Sequence, residues 1–315
     1  MRDILTITLN PALDLATSVD QVIAGPKLRC NSPRIDPGGG GVNVARTIGK
    51  LGGHVTALVA IGGATGAQLC NLLSAENIPF IPVPVSGETR QSFAVTDETS
   101  GAQYRFGLPG EELTSTDATH LLSMIHAAAP PDGLTVISGS VAPGLPPDFL
   151  QQVIASLTPI GSKLIIDTAG PGLAQLIAAP TQPVHLLRVD QKEANEAAGH
   201  PLITVADTIS FAAGLIARGV AEIVISGRGA EGSMLVSASQ RLFCKAAHVP
   251  VRSAIGAGDA FVGAMTLALA RDEPLDQALQ WGVAAASATV GTEGTALCDL
   301  QSVTALLPLC TVTDV

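Results

Sequence analysis

Short apolar runs recur along this chain, separated by stretches of helical periodicity, and no other feature constrains its fold as tightly. Residues 3–9 (DILTITL) and 54–61 (HVTALVAI) carry the β-branched alternation of strands. Residues 134–138 (LTVIS), 163–167 (KLIID), 185–189 (HLLRV) and 222–226 (EIVIS) are almost continuously apolar, as strands buried on both faces of a parallel sheet are. Between them, 42–51, 64–77, 114–128, 147–157 and 204–218 place apolar residues at helical spacing. Strand alternating with helix over most of the length predicts an α/β fold, a doubly wound, mainly parallel sheet flanked by helices.

Two segments break the rhythm. Residues 13–35 and 88–107 alternate apolar and polar positions and carry turn residues such as Thr99-Ser100-Gly101. They read as strands outside the main sheet, either a small β lid or surface hairpins without a role. The expected organisation is an α/β domain from 1–12, 36–87 and 108–315, with 13–35 and 88–107 inserted as the small sheet.

Composition narrows the function classes. With 47% hydrophobic and 14% charged residues, the chain is too apolar to be disordered. Its net charge of −10 excludes a general affinity for nucleic acid or an anionic membrane. Any bound anion must therefore meet positive charge gathered locally. The five cysteines are widely spaced, with no Cys-x-x-Cys pair, so neither a disulfide framework nor a zinc site is expected. The N-terminus turns polar too early for a signal peptide, and apolar runs such as Ala260–Ala270 fall short of the roughly 20 residues of a membrane span. A cytoplasmic protein is expected.

Two glycine-rich segments carry the chemistry. Ser253-Ala-Ile-Gly-Ala-Gly-Asp259 runs directly into a long apolar helical stretch. That arrangement aims the free N–H groups of Gly256, Ala257 and Gly258 at one point, with the helix dipole behind them, as an anion hole does. Asp259 stands at its mouth, either as a base for an alcohol or as a helix cap. The cap alternative leaves the paired glycines unexplained. Earlier, Pro37 and four glycines (38–41) lead into a helix bearing Asn43, where bare backbone can approach a ligand and an amide can meet hydroxyls. A third segment, Gly227-Arg-Gly229-Ala-Glu-Gly232, has the spacing of a dinucleotide fingerprint, but strand-like SMLVSAS follows it instead of a helix. A dinucleotide dehydrogenase is excluded, and a loop packing on a nucleotide remains open. P-loop, H-E-x-x-H and G-x-S-x-G patterns are absent, and the six histidines are scattered. Five of the 17 basic residues (Lys27, Arg29, Arg46, Arg90 and Arg105) fall in or beside the flaps and the first glycine run, as a phosphosugar site would require.

GAGDAF (256–261), PGGGGVNVAR (37–46) and TLNPALD (8–14) together resemble the ribokinase-like (PfkB) carbohydrate kinases. KLRC (27–30), GGATG (62–66), TRQ (89–91), YRF (104–106), SGS (138–140) and GVAAAS (282–287) extend the resemblance almost end to end. It implies ATP-dependent phosphorylation of a sugar phosphate with Mg²⁺ and a K⁺ site. Fructose 6-phosphate is the expected acceptor; fructose 1-phosphate and tagatose 6-phosphate are alternatives, and a non-catalytic sugar-phosphate sensor is an alternative of another class. By position, Asp259 becomes the base and Gly256–Gly258 the anion hole. Asp14, Gly39, Gly40 and Asn43 would hold sugar hydroxyls and Lys27 and Arg90 the sugar's phosphate, with Arg29, Arg105, Ser138 and Ser140 beside the substrate. Arg188, Asp190, Gly227, Gly229, Gly232, Val283 and Ser287 would face ATP. Glu193 would orient Mg²⁺ through water, and Ser253, Ile255, Thr289, Thr292 and Gly294 would offer oxygens to K⁺. The two flaps would form a lid that pairs two subunits as a homodimer. One departure stands out: the family motif Asn-x-x-Glu reads Asp190-Gln-Lys-Glu193 here, adding a negative charge near the metal and triphosphate.

Overall fold

A computed structural model describes residues 1–315. The first strand, β1 (Ile4–Thr8), is fully buried. β2 (Ala12–Val19) and β3 (Arg34–Gly38) leave it for a second sheet. α1 (Gly40–Lys50), β4 (Thr56–Ile61), α2 (Gly63–Ala75) and β5 (Phe80–Pro84) return the chain to the main sheet. β6 (Arg90–Asp97) and β7 (Gln103–Gly107) complete the second sheet, in the order β3-β2-β6-β7.

The rest of the chain builds outward from β1. α3 (Ser115–Ala128), β8 (Leu134–Ser138), α4 (Phe149–Leu157), β9 (Lys163–Asp167), α5 (Gly170–Ala178) and β10 (Val184–Val189) follow. Next come α6 (Gln191–Ala198), α7 (Val205–Ala217), β11 (Ala221–Gly227), β12 (Gly232–Ser237) and β13 (Arg241–Lys245). α8 (Ala257–Ala270), α9 (Leu275–Val290), α10 (Leu300–Leu306) and β14 (Val312–Asp314) end it.

The main sheet has ten strands in the order β14-β13-β12-β11-β10-β9-β8-β1-β4-β5. All neighbours from β5 to β11 pair in parallel, while β12, β13 and β14 are added antiparallel. The doubly wound α/β architecture is the expected one, and each expected helix lies within a few residues of its observed bounds. Of the antiparallel edge only β12 was foreseen, as the strand-like SMLVSAS; β13, β14, β5 and α6 were not. β5 (FIPVP) holds two prolines, which an edge strand tolerates because its outer N–H groups serve no ladder. α6 is short and polar, with Ala194 its one buried residue, so it shows no apolar stripe.

One apolar cluster packs α1, α2, α8 and α9 against one face of the sheet, and a second packs α3, α4, α5 and α7 against the other. No helix is long and apolar enough to cross a membrane. The chain runs from β1 through β4 to β5 on one side, then returns to β8 and proceeds to β11 on the other. The winding direction therefore reverses between β1 and β8. Open α/β sheets bind ligands beyond the carboxyl ends of the strands at such a point.

Candidate active site

The glycine run meets that switch point. At Gly40 an added Cβ would collide with the Gly139 nitrogen and Ser138 Oγ at the end of β8, and at Gly41 with the Ile7 carbonyl of β1. Only glycine lets the start of α1 enter the crevice this deeply. Asn43, one turn into α1, is thereby fixed against the start of α8.

Asp259 lies in the first turn of α8, whose N-cap is Gly256 with φ 75°. Its side chain caps no backbone N–H. Instead Asn43 Nδ2 donates to Asp259 Oδ2 at 2.9 Å, and Ser138 Oγ approaches Oδ1 at 3.4 Å. The cap alternative is thus excluded by geometry. Ser138 Oγ also lies 3.2 Å from Asp167 Oδ2, and Arg188 Nη1 donates to Asp167 Oδ1 at 3.0 Å. Burial, with the Asp167 charge adding, pushes the Asp259 carboxyl up to about 7, against the opposing donation from Asn43 and the charge of Arg188. A carboxylate tuned near neutrality suits a general base. Burial disfavours charge on Arg188, yet Asp167 outweighs it and holds the guanidinium above its ordinary value. A Cβ at Gly258 would sit 3.0 Å from Arg188 Nη1, so this cation flanks the free N–H groups of the α8 start.

A cavity of about 360 Å³ opens above Asp259, and Asp14, Gly39, Gly40, Asn43, Arg90 and Arg105 line it with Gly256. Asp14 and Arg90 come from β2 and β6, which pair in parallel and bring the second sheet over the crevice. Burial pushes the Asp14 carboxyl up to about 6, although the charges of Arg90 and Arg46 pull it down. Arg90 donates to the carbonyls of Asn10 and Leu108, both at 3.3 Å. At the rim, exposed Ser140 accepts from Asn10 Nδ2 at 3.0 Å.

One expectation about charge needs correction. Arg46 does not offer its charge to a ligand: its side chain is 2% exposed, and Glu76 and Asp36 neutralise it. The reason is its place one turn after Asn43 on the buried face of α1. Lys27 and Arg29 are exposed in the stretch between β2 and β3 and do not line the cavity. A larger cavity of about 1070 Å³ lies at the opposite end of the strands, beside Asp3, Lys50 and His54, and of the expected residues only Arg46 reaches its wall.

Toward the expected nucleotide side, Asp190 and Glu193 form a capping box at the start of α6. Asp190 Oδ1 accepts from the Glu193 N–H at 2.8 Å, and Glu193 Oε2 from the Asp190 N–H at 2.7 Å. Burial foremost, with Asp190 and Asp167 adding to it, raises the Glu193 carboxyl above its ordinary range. Gly227 and Gly229 frame a turn, and Gly232 opens β12, antiparallel to β11, as its rejection as a dinucleotide fingerprint requires. At Gly232, φ is 130° and a Cβ would strike the Cys244 carbonyl. Arg228, inside the turn, is buried and donates to Thr208 Oγ1 at 2.7 Å and the Ile203 carbonyl at 2.9 Å. Val283 and Ser287 are buried within α9.

The segment before α8 and the end of α9 abut: Ser253 Oγ donates to the Gly294 carbonyl at 2.8 Å, and the Val290 carbonyl accepts from the Arg252 N–H at 2.8 Å. Ser253, Ile255, Thr289, Thr292 and Gly294 offer only neutral carbonyl and hydroxyl oxygens, a donor set that fits K⁺. The Thr289 carbonyl already accepts from Thr292 Oγ1 at 2.8 Å.

Sequence reading missed Asp167, Asp36 and Thr295. Asp167 ends the run KLIID, and an acid at the carboxyl end of a strand near the switch point is a usable signal. Asp36 and Thr295, which bond to each other across 259 positions, carried none.

Residues 7–302 match the family described as pfkB family carbohydrate kinase. An ATP-dependent 6-phosphofructokinase isozyme 2 of Mycobacterium tuberculosis is 40% identical over 95% of this chain and 87% of its own length. A 1-phosphofructokinase of Xanthomonas campestris is 33% identical over 85% of this chain and 84% of its own. The phosphofructokinase-2 of Escherichia coli, solved in complex with potassium, superposes with a TM-score of 0.93 at 36% identity, covering 98% of this chain and 99% of that one. The same enzyme has been solved with fructose-6-phosphate and in a tetrameric inhibited form. With Asp259, the glycine cradle and the second sheet in place, the chain belongs to the pfkB family of carbohydrate kinases.

Proposed function

We propose that this kinase transfers the γ-phosphoryl group of ATP to a hydroxymethyl of fructose 6-phosphate, yielding fructose 1,6-bisphosphate in glycolysis. The observation that carries the reading is Asp259, held by Asn43 at the start of α8 and facing the cavity that Asp14, Arg90 and Arg105 line. Asp259 takes the proton of the attacking hydroxyl, while the N–H groups of Gly256, Ala257 and Gly258 and the Arg188 guanidinium receive the charge that gathers on the phosphoryl oxygens. Asp14, Gly39, Gly40 and Asn43 orient sugar hydroxyls, with Ser138 and Ser140 beside them. Arg90 and Arg105 meet the existing phosphate, and Lys27 and Arg29 join them from the lid.

ATP lies along Arg188, Asp190, the Gly227–Gly232 turn and α9 at Val283 and Ser287. Glu193 would orient Mg²⁺ through water, and bound Mg²⁺ supplies neutralisation of triphosphate charge. The neutral oxygens of Ser253, Ile255, Thr289, Thr292 and Gly294 would hold K⁺. The kinase domain of 1–12, 36–87 and 108–315 works in the cytoplasm, under a lid of 13–35 and 88–107. Tyr104, Phe106 and Leu108 alternate along and just past β7 and are 40%, 55% and 47% exposed, an apolar strip that supports pairing of two chains through their lids.

The 33% identical 1-phosphofructokinase supports a second reading, with fructose 1-phosphate as acceptor. A coupled assay of ADP release with fructose 6-phosphate, fructose 1-phosphate and tagatose 6-phosphate separates them. The highest kcat/KM belongs to fructose 6-phosphate; preference for either other sugar reassigns the acceptor. Tight sugar-phosphate binding without turnover would make the protein a sensor.

A further inference from the structure

Arg46 reaches the wall of the larger cavity but not the ligand cleft, and its side chain is 2% exposed. Its Nε and Nη2 donate to the two Glu76 oxygens, each at 2.7 Å. Nη2 also lies 3.4 Å from Asp36 Oδ1, and Nη1 donates to the Pro37 carbonyl at 3.2 Å and to Asn43 Oδ1 at 3.3 Å. Asp36 and Pro37 belong to β3, the strand that roots the lid, and Asp36 is itself held by Arg34 and Thr295.

We propose that Arg46 is a positioning residue for the base, locking the Asn43 amide with its NH₂ end toward Asp259 and tying that orientation to the root of the lid. The inference rests on Asp259 being the base. An asparagine amide has one accepting and one donating end. While Asp259 is ionised, it selects the donating end itself. Once it has taken the substrate proton, that preference fades and an unheld amide is free to turn over. Arg46 removes that freedom, because a turned amide would set its NH₂ against the guanidinium. Lysine could not substitute: a point charge cannot serve a bidentate carboxylate, a carbonyl and an amide together.

The groups facing Asp259 are Asn43 from α1, Ser138 from β8, Asp167 from β9 and Arg188 from β10. Those facing Arg46 are Asp36 and Glu76, and its charge also reaches Asp14. Because Asn43 donation favours the Asp259 carboxylate, loosening it should move the acidic limb of the kcat–pH profile to higher pH.

The experiment compares Arg46→Lys, Glu76→Gln and wild type in kcat, in both KM values and in the kcat–pH profile. Arg46→Lys should lower kcat about tenfold and move the acidic limb upward, with the KM for ATP unchanged. Glu76→Gln should move the limb in the same direction by less, although Glu76 lines only the far cavity. A purely structural Arg46 would lower Tm and leave the limb in place, and that result overturns the proposal. If Arg46→Lys does not fold, Glu76→Gln decides alone: a displaced limb supports the relay and an unmoved one overturns it. Near-normal turnover in Asp259→Asn would instead remove the base assignment itself.

Discussion

Asn43 Nδ2 donates to Asp259 Oδ2 across 2.9 Å, although 216 positions separate the two residues. The contact exists because α1 and α8 each begin at a glycine turn and pack side by side at the carboxyl edge of the sheet. Its length is set by helix packing, so the chemistry inherits the tolerance of that interface.

Substitution of Asp259 by Asn removes the proposed proton acceptor but keeps the volume. Turnover should fall by ~10²-fold or more. In the wild type, a carboxyl pushed up to about 7 loses its charge as pH falls, so kcat should decline below about pH 7. A pH–rate profile flat down to pH 5 would contradict this.

The same group carries a stability cost. A carboxyl raised from 3.8 to about 7 on folding makes the native state bind more protons than the unfolded state between those values. Its destabilisation is therefore absent only below the unfolded value of 3.8, grows as pH rises between the two values and is complete above pH 7, at about 4 kcal/mol as an upper figure. Asp259→Asn should gain Tm over wild type at pH 8 and lose most of that gain at pH 4.5, measured by thermal melts at both.

Gly263 sets the α1–α8 spacing: a Cβ there would lie 2.8 Å from Thr47 Cβ and 3.0 Å from the Val44 carbonyl. Gly263→Ala should cost about 1–3 kcal/mol and lower kcat, since the helices must part where Asn43 meets Asp259. Gly214 in α7 offers a control, with nothing within 4 Å of an added Cβ. Gly214→Ala should stabilise by about 0.5–1 kcal/mol and leave kcat unchanged. Urea unfolding of both variants checks the contrast.

Asp190 separates cap from cofactor. Asn caps a helix as well as Asp does, so Asp190→Asn should keep Tm, whereas Asp190→Ala should cost about 1 kcal/mol. If the extra charge opposes ATP, Asp190→Asn should also lower the KM for ATP. An unchanged KM would leave Asp190 with the cap alone.

How much of this was legible depends on whether a residue's role is local. KLIID and EIVIS announce buried strands because burial on both faces writes itself into consecutive apolar residues. The glycine runs were equally plain, because close backbone approach forbids side chains at consecutive positions. Arg46 shows the limit: beside a glycine run it reads as a ligand for phosphate, and only the arrival of Glu76, just past the end of α2, and Asp36 from β3 makes it internal. The capping role of Asp190 went unread for a related reason, since a capping box and the family's metal motif share the same spacing.

The second sheet is stitched from two separate excursions of the chain, β2–β3 and β6–β7, so the backbone crosses between the body and that sheet four times. Each of its strands is therefore tethered to the body at its own root. A protease that cuts the exposed connection at Lys27 frees no fragment and releases no strand. The nicked chain should migrate as two pieces in denaturing gels and as one body in solution, with every strand of the second sheet still seated over the cavity.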